Sequence, residues 1–277
     1  MIATETPISR PMKIAFLFIL VNTVFGAGSL ILFSDRTESL FFWKISPPIN
    51  AALFGSFYFG GALAVIQALR IGKWEWARFQ IPVLFVATFL FSVVTFLHFD
   101  AFFQDFRLYY WLIIYLAGPV LGVIFYLQHE RAGATWQVIG QSLRPATRNL
   151  ALVLGVLIGI FGVVGLIWPA PLTEFSPWPM SPLMMRIIAA SFNAFLPALL
   201  WFGREKDWQR LYPIANLMMA TAALNLLMVF VHRADLKPGA PNLGPVIGVL
   251  VGLGLVGGLM HWLQRPLPGE KSMSRAG

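Results

Sequence analysis

Apolar stretches of about twenty residues recur along the whole chain, separated by short intervals carrying charge, Gly and Pro. They lie at 14–33, 49–69, 79–97, 108–127, 150–168, 183–202, 211–231 and 243–263. A stretch of that length crosses a hydrocarbon core of roughly 30 Å as an α-helix. Lipid offers backbone N–H and C=O groups no partner, so each stretch is predicted helical. The strand-length alternation of a membrane barrel is absent. The pattern predicts an all-α, polytopic membrane protein with eight transmembrane helices.

The pattern is also written twice. Trp43, Ser46, Pro47, Ser56 and Phe57 recur 135 residues later as Trp178, Ser181, Pro182, Ser191 and Phe192. Trp76, Arg78, Pro82 and His98 are echoed by Trp208, Arg210, Pro213 and His232 at offsets of 131 to 134. Two four-helix repeats follow, 14–127 and 150–263, with an N-terminal segment 1–13, a linker 128–149 and a tail 264–277. Because each repeat holds an even number of spans, both share one orientation and are related by a pseudo-two-fold axis along the membrane normal. The first span could pass for a signal peptide, with Arg10 and Lys13 before it. Its length and its counterpart at Leu150 to Trp168 argue for a retained helix. In the linker, Trp136, Ile139 and Leu143 are spaced for one face of a short surface helix.

Composition agrees with that class: 58% of the 277 residues are hydrophobic and 12% charged. The absence of cysteine removes disulfides, thiolate metal sites and dithiol chemistry. The net charge of +8 flanks apolar spans, which fits topology and anionic lipid rather than nucleic acid. On the side of the termini stand Arg10, Lys13, Arg70, Lys73, Arg78, Arg131, Arg144, Arg148, Arg204, Lys206, Arg210, Arg265, Lys271 and Arg275, fourteen against six elsewhere. Both termini are therefore predicted cytoplasmic, in a cell membrane of the bacterial inner-membrane type.

Several repeated features have structural readings. Ser46-Pro47 and Ser181-Pro182 each supply an N-cap hydroxyl and a proline at the first helical position. Trp43, Trp74, Trp76, Trp111, Trp168, Trp178 and Trp262 fall near span ends, as an aromatic belt would. Gly155 with Gly159, and Gly244, Gly248 and Gly252, form small-residue faces for close helix packing.

A polar stripe remains. Thr88, Ser92, Thr95 and His98 share one face of the third helix, and Thr221, Asn225, Met228 and His232 occupy matching stations on the seventh. Polar side chains in a membrane helix face other helices or a wet cavity, so the two stripes should face each other across the axis. Asn225 should then bond across a helix interface. His98 and His232, with Asp100, Asp235 and Arg186, should meet at one extracytoplasmic cavity lined by both repeats. Arg186 has Ala51 as its counterpart and could receive an anionic group or pair with Glu174, Asp100 or Asp235. The second histidine pair, His129 and His261, lies at the opposite membrane face.

His98-Phe99-Asp100-Ala101-Phe102, followed by Trp111, Tyr115 and Pro119, resembles an H-x-D-x-F pattern in multi-pass bacterial membrane proteins; the resemblance implies no activity. The chain holds no G-x-S-x-G, H-E-x-x-H, P-loop or dinucleotide fingerprint, and no catalytic residue is assigned. Span centres lack the acidic residues of an ion-coupled carrier. The leading expectation is a protein that binds or passes a small or lipid-like ligand, using His98, Asp100, Arg186, His232, Asp235, Ser92 and Asn225, with no cofactor. The alternatives are a haem or metal held between His98 and His232, or a structural subunit packed against a membrane-protein partner.

Overall fold

The computed structural model describes residues 5–265. Residues 1–4 and, in the predicted tail, everything past Arg265, including Lys271 and Arg275, lie outside the described residues. The long helices are α1 (Arg10–Leu32), α2 (Pro48–Ile71), α3 (Gln80–Leu97, preceded by one turn at Trp74–Ala77), α4 (Phe106–Arg131), α5 (Pro145–Ile167), α6 (Pro182–Leu200), α7 (Trp208–Val231) and α8 (Leu243–Leu263). Each span is long and apolar enough to cross a bilayer, which makes the chain a multi-pass membrane protein. No β-strand occurs among the described residues. The start of α1 and the end of α8 share one end of the bundle, termed basal here; the other end, where α3 and α7 finish, is apical.

Residue size decides which helices are central. α2 carries buried Ala51, Ala52, Gly55 and Ser56, and α6 carries buried Ala189, Ala190, Ser191 and Ala194. Such short side chains let neighbours approach closely, and in α2 and α6 alike 61% of the span is buried. A Cβ at Gly55 would lie 2.7 Å from the Ile31 side chain of α1. α1 packs on α2, α5 on α6, α3 on α4 and α7 on α8; across these pairs α3 packs on α6 and α7 on α2. The expectation that α3 and α7 face each other is corrected accordingly, since each packs on one of the central pair.

Backbone hydrogen bonds at the loops come in matching sets. Ile8 N donates to Gly72 O and Leu143 N to Lys206 O; Trp74 N donates to Thr6 O and Trp208 N to Gln141 O; Phe103 N donates to Phe42 O and Lys237 N to Pro177 O. The linker is spent on these contacts. It forms no helix between Arg131 and Pro145, and Asp207 Oδ2 accepts from Ile139 N and Gly140 N at 2.8 and 2.9 Å. The predicted surface helix is corrected: a buried carboxylate holds the segment extended. Trp136 lies between two guanidinium groups, Arg78 at 3.9 Å and Arg204 at 4.5 Å from its ring centre.

Two further expectations change for reasons of packing. Trp43, Trp74, Trp111 and Trp178 are buried in the bundle and half-buried Trp76 donates from Nε1 to Glu5, so of the predicted belt Trp168 and Trp262 are the exposed members. Gly155 and Gly159 do abut Leu199 and Leu196 of α6, whereas a Cβ at Gly244, Gly248 or Gly252 would meet no atom within 4 Å, and α8 meets α7 through Gly257 against Met219.

Ser181 caps α6 as expected, its Oγ accepting from Met184 N at 3.2 Å. Ser46 does not cap α2: Pro47 takes the N-cap position, with no side-chain oxygen to offer. The orphan N–H of Ile49 is met instead by Asp235 Oδ2, at 2.9 Å, from the loop after α7. A carboxylate at a helix N-terminus also favours the helix dipole. Asp235→Ala should therefore cost about 1–2 kcal/mol and Ser181→Ala about 1 kcal/mol. The exposed Asp100, replaced by Ala, should stay within about 0.5 kcal/mol of wild type. Denaturant titration of the detergent-solubilised protein reads all three, and equal losses for Asp235 and Asp100 would contradict the capping role.

Candidate functional site

The polar stripe of α3 is satisfied by its own helix. Thr88 Oγ1 donates to Leu84 O, Ser92 Oγ to Thr88 O and Thr95 Oγ1 to Phe91 O, at 2.7 to 2.9 Å. Ser92 and Thr95 are buried, and Thr95 Oγ1 also accepts from Trp111 Nε1 at 2.8 Å. Back-bonding of this kind removes the cost of a hydroxyl in an apolar setting. Asn225 is 4% exposed and its Nδ2 donates at 2.9 Å to Thr221 O, one turn back on α7. That corrects the expected bond across a helix interface. No hydrogen bond to Asn225 Oδ1 occurs among the described residues.

The two apical histidines have separate surroundings. His98, the residue that ends α3, accepts at Nε2 from Arg186 Nη1 at 2.8 Å, while Arg186 Nε donates to Leu166 O at 2.9 Å. Arg186 thus joins α3, α5 and α6, and its partners are an imidazole and a carbonyl rather than Glu174, Asp100 or Asp235. His232 Nδ1 lies 3.6 Å from Asp235 Oδ2, too far for a hydrogen bond, and that carboxylate is already engaged by the start of α2. Asp100 is exposed, without a hydrogen bond or ion pair among the described residues. The haem alternative needs both imidazoles at one ligand. Instead the Nε2 lone pair of His98 is taken by a guanidinium, and no residue contacts both histidines through a hydrogen bond. Nor does any cluster of three metal-ligating side chains occur among the described residues.

The space at the apical end lies elsewhere. A cavity of about 360 Å³ is bounded by Leu53 and Phe57 of α2, Phe161 of α5, Met185, Ile188 and Phe192 of α6, Asn225 of α7, and Pro245, Val246, Val249 and Leu250 of α8. The connection from α5 to α6 roofs it with Leu172, Phe175, Ser176, Pro177, Trp178 and Met180. Lys237 fastens this roof by donating from Nζ to Ser176 O at 2.8 Å and from its backbone N to Pro177 O. Asn242 Nδ2 adds a bond to Phe175 O. The lining runs from Phe175 and Val249, which face the bundle's apolar periphery, inward to buried Asn225. Of the predicted site residues, only Asn225 reaches it.

Against α3 and α4 the bundle is filled instead. Phe41, Trp43, Phe54, Phe91, Trp111 and Tyr115 form one aromatic cluster, and Tyr58 Oη meets Tyr115 Oη at 2.6 Å inside it. α8 offers Pro, Val and Leu where α4 offers Trp and Tyr. The aliphatic pattern of α8 was the available sequence clue to the cavity, but periodicity does not tell an underfilled wall from a filled one.

At the basal end, the second histidine pair is structural. His129 Nε2 accepts from Ser9 N at 3.1 Å with Nδ1 on Phe125 O, and His261 Nε2 meets Asn216 Oδ1 at 2.7 Å. Nearby, buried Arg210 lies 3.3 Å from Glu5 Oε1 and 3.5 Å from Glu205 Oε1, while buried Arg78 donates to Thr135 O. Glu75 accepts from Thr6 N and Thr135 N. These groups bind the N-terminal segment and the linker to the bundle.

Burial first, and the adjacent Arg186 guanidinium second, push the His98 imidazole below its ordinary value. In the unfolded chain it titrates near the usual value of about 6.5. The stability it contributes is complete above that pH and is lost as pH falls from there through the lowered folded value. Thermal melts should fall through this window in wild type and flatten there in His98→Gln; identical pH profiles would remove His98 as the cause. Comparisons with protein-family models, with curated proteins and with solved structures find no match to this chain.

Proposed function

We propose that this protein binds a small or lipid-like apolar molecule in the cavity between α2, α5, α6, α7 and α8, at the extracytoplasmic end of two parallel four-helix repeats. The observation that carries the reading is the cavity itself. About 360 Å³ is the size of a small-molecule site and more than twice the roughly 150 Å³ at which an apolar hole already takes up benzene. The space opens at the bundle's periphery beside Phe175 and Val249, where an apolar molecule can enter from the bilayer.

Support for the repeat comes from the matched loop bonds and from the pairing of helices, in which α1 on α2 matches α5 on α6 and α3 on α6 matches α7 on α2. Within that reading, the two sides differ at equivalent positions. Phe54 and Tyr58 of α2 correspond to Ala189 and Asn193 of α6; the aromatic pair joins the cluster beside α4, whereas Ala189 and Asn193 sit against Gly165 and Gly162 of α5 and do not line the cavity. The cytoplasmic placement of both termini rests on the Lys and Arg distribution.

Two measurements test these statements. The natural chain has no cysteine, so single-cysteine variants report sidedness directly. A membrane-impermeant maleimide should label Asp100→Cys in intact cells and Arg131→Cys only after permeabilisation; the reverse would invert the topology. For the cavity, half-buried Val246 is the residue to enlarge. Val246→Trp should abolish binding of tritiated dodecane to the protein in maltoside micelles while leaving its melting temperature unchanged or raised. Undiminished binding would place the probe outside this cavity.

A further inference from the structure

Two polar side chains, Asn225 and Thr221, stand at the inner end of an otherwise apolar cavity, and part of their hydrogen-bonding capacity is open. Below Asn225 a second space of about 30 Å³ continues along the bundle, bounded by Phe57, Ile158, Phe192, Phe195, Leu199, Met218, Thr221, Ala222, Asn225, Leu250 and Leu253. The two spaces share Phe57, Phe192, Asn225 and Leu250, so they are stacked end to end on the same wall. Thr221 is 6% exposed, and its Oγ1 is buried without a hydrogen-bond partner. It stands out from the stripe hydroxyls, because Thr88, Ser92 and Thr95 all bond back to their own helix. The hydroxyl lies over α2, 2.8 Å from where a Cβ at Gly60 would sit; any side chain at that position would press on it.

Thr221 and Asn225 are four residues apart and therefore share one face of α7. Counting groups, the Asn225 amide commits one N–H to Thr221 O. It retains a second N–H and the Oδ1 acceptor, while the threonine hydroxyl keeps its donor and acceptor capacity. Buried polar groups in native proteins are paired as a rule, and those left open mark places where another molecule completes them. Neither space is lined by Asp, Glu, Lys, Arg or His. A charged group carried in there would be desolvated without compensation, whereas a neutral carbonyl or hydroxyl would be met by donor and acceptor together.

We infer that the site takes a neutral lipid with a single apolar chain or ring system and one carbonyl or hydroxyl oxygen, bound oxygen first. The oxygen reaches Asn225, and the apolar remainder lies along Phe192, Ile188 and Val246 toward the periphery at Phe175 and Val249. This rests on the cavity reading above and adds the chemistry of the ligand and its direction. Selectivity is the signature, since a site built to hydrogen-bond an oxygen discriminates against the analogue lacking it.

The test compares three tritiated probes differing only at the head, dodecan-1-ol, dodecane and dodecanoate, by scintillation proximity with the full chain in maltoside micelles. Wild type should bind the alcohol about tenfold more tightly than the alkane, the worth of about one buried hydrogen bond. It should bind the carboxylate more weakly than the alcohol. Asn225→Leu should lower alcohol affinity toward that of dodecane while keeping dodecane binding, which also reports that the variant is folded. If wild type binds alcohol and alkane equally, or if Asn225→Leu keeps the preference, the polar inner end takes no part and the inference is overturned while the cavity reading stands. Tighter binding of dodecanoate would overturn it in favour of an anionic lipid. No binding of any probe would overturn the cavity reading itself.

Discussion

The close approach allowed by small residues on α2 and α6 is the constraint on which the rest of the bundle depends. In lipid there is no hydrophobic force to drive one apolar helix against another, so contact is won by van der Waals fit and by hydrogen bonds. Ala51, Ala52, Gly55 and Ser56 give α2 a surface that α1 and α7 can approach, and Ala189, Ala190, Ser191 and Ala194 do the same for α6 toward α5 and α3. With those two helices central, α4 and α8 pack chiefly on α3 and α7, and α4 also meets α2 where Tyr115 bonds Tyr58.

Polar groups are then settled locally wherever the helix can do it, and by distant loops where it cannot. Threonine and serine hydroxyls in α3 return to carbonyls of the preceding turn. At helix ends the partners come from afar: Asp235 caps α2 across the bundle, Arg186 ties His98 to Leu166, and Asp207 gathers the linker. These long-range bonds do at the two ends what packing does in the middle. They also occupy His98, Arg186 and Asp235, while Asn225 keeps hydrogen-bonding capacity open.

The cavity exists because the two sides of the bundle are filled unequally. Trp111, Tyr115, Phe91, Phe54 and Tyr58 close the volume beside α4. Pro245, Val246, Val249 and Leu250 leave it open beside α8.

The sequence by itself determined the membrane class, the number of helices and their limits to within a few residues. Those properties depend on length and hydropathy read locally, and lipid allows one solution to them. It also marked Ser181 as a cap and Gly155 and Gly159 as a packing face, since each acts within a turn or against the next helix. Only the tertiary structure decided that Ser46 yields its role to Asp235, that Arg186 meets His98, that the linker is extended, and that Trp43 and Trp111 are buried rather than interfacial. Each of those depends on a partner far away in the chain. The same holds for the candidate site. Asn225 was legible as a buried polar residue on a helix face, but the cavity it faces is a matter of volume left over between five helices, and spacing along one strand of sequence carries no measure of that.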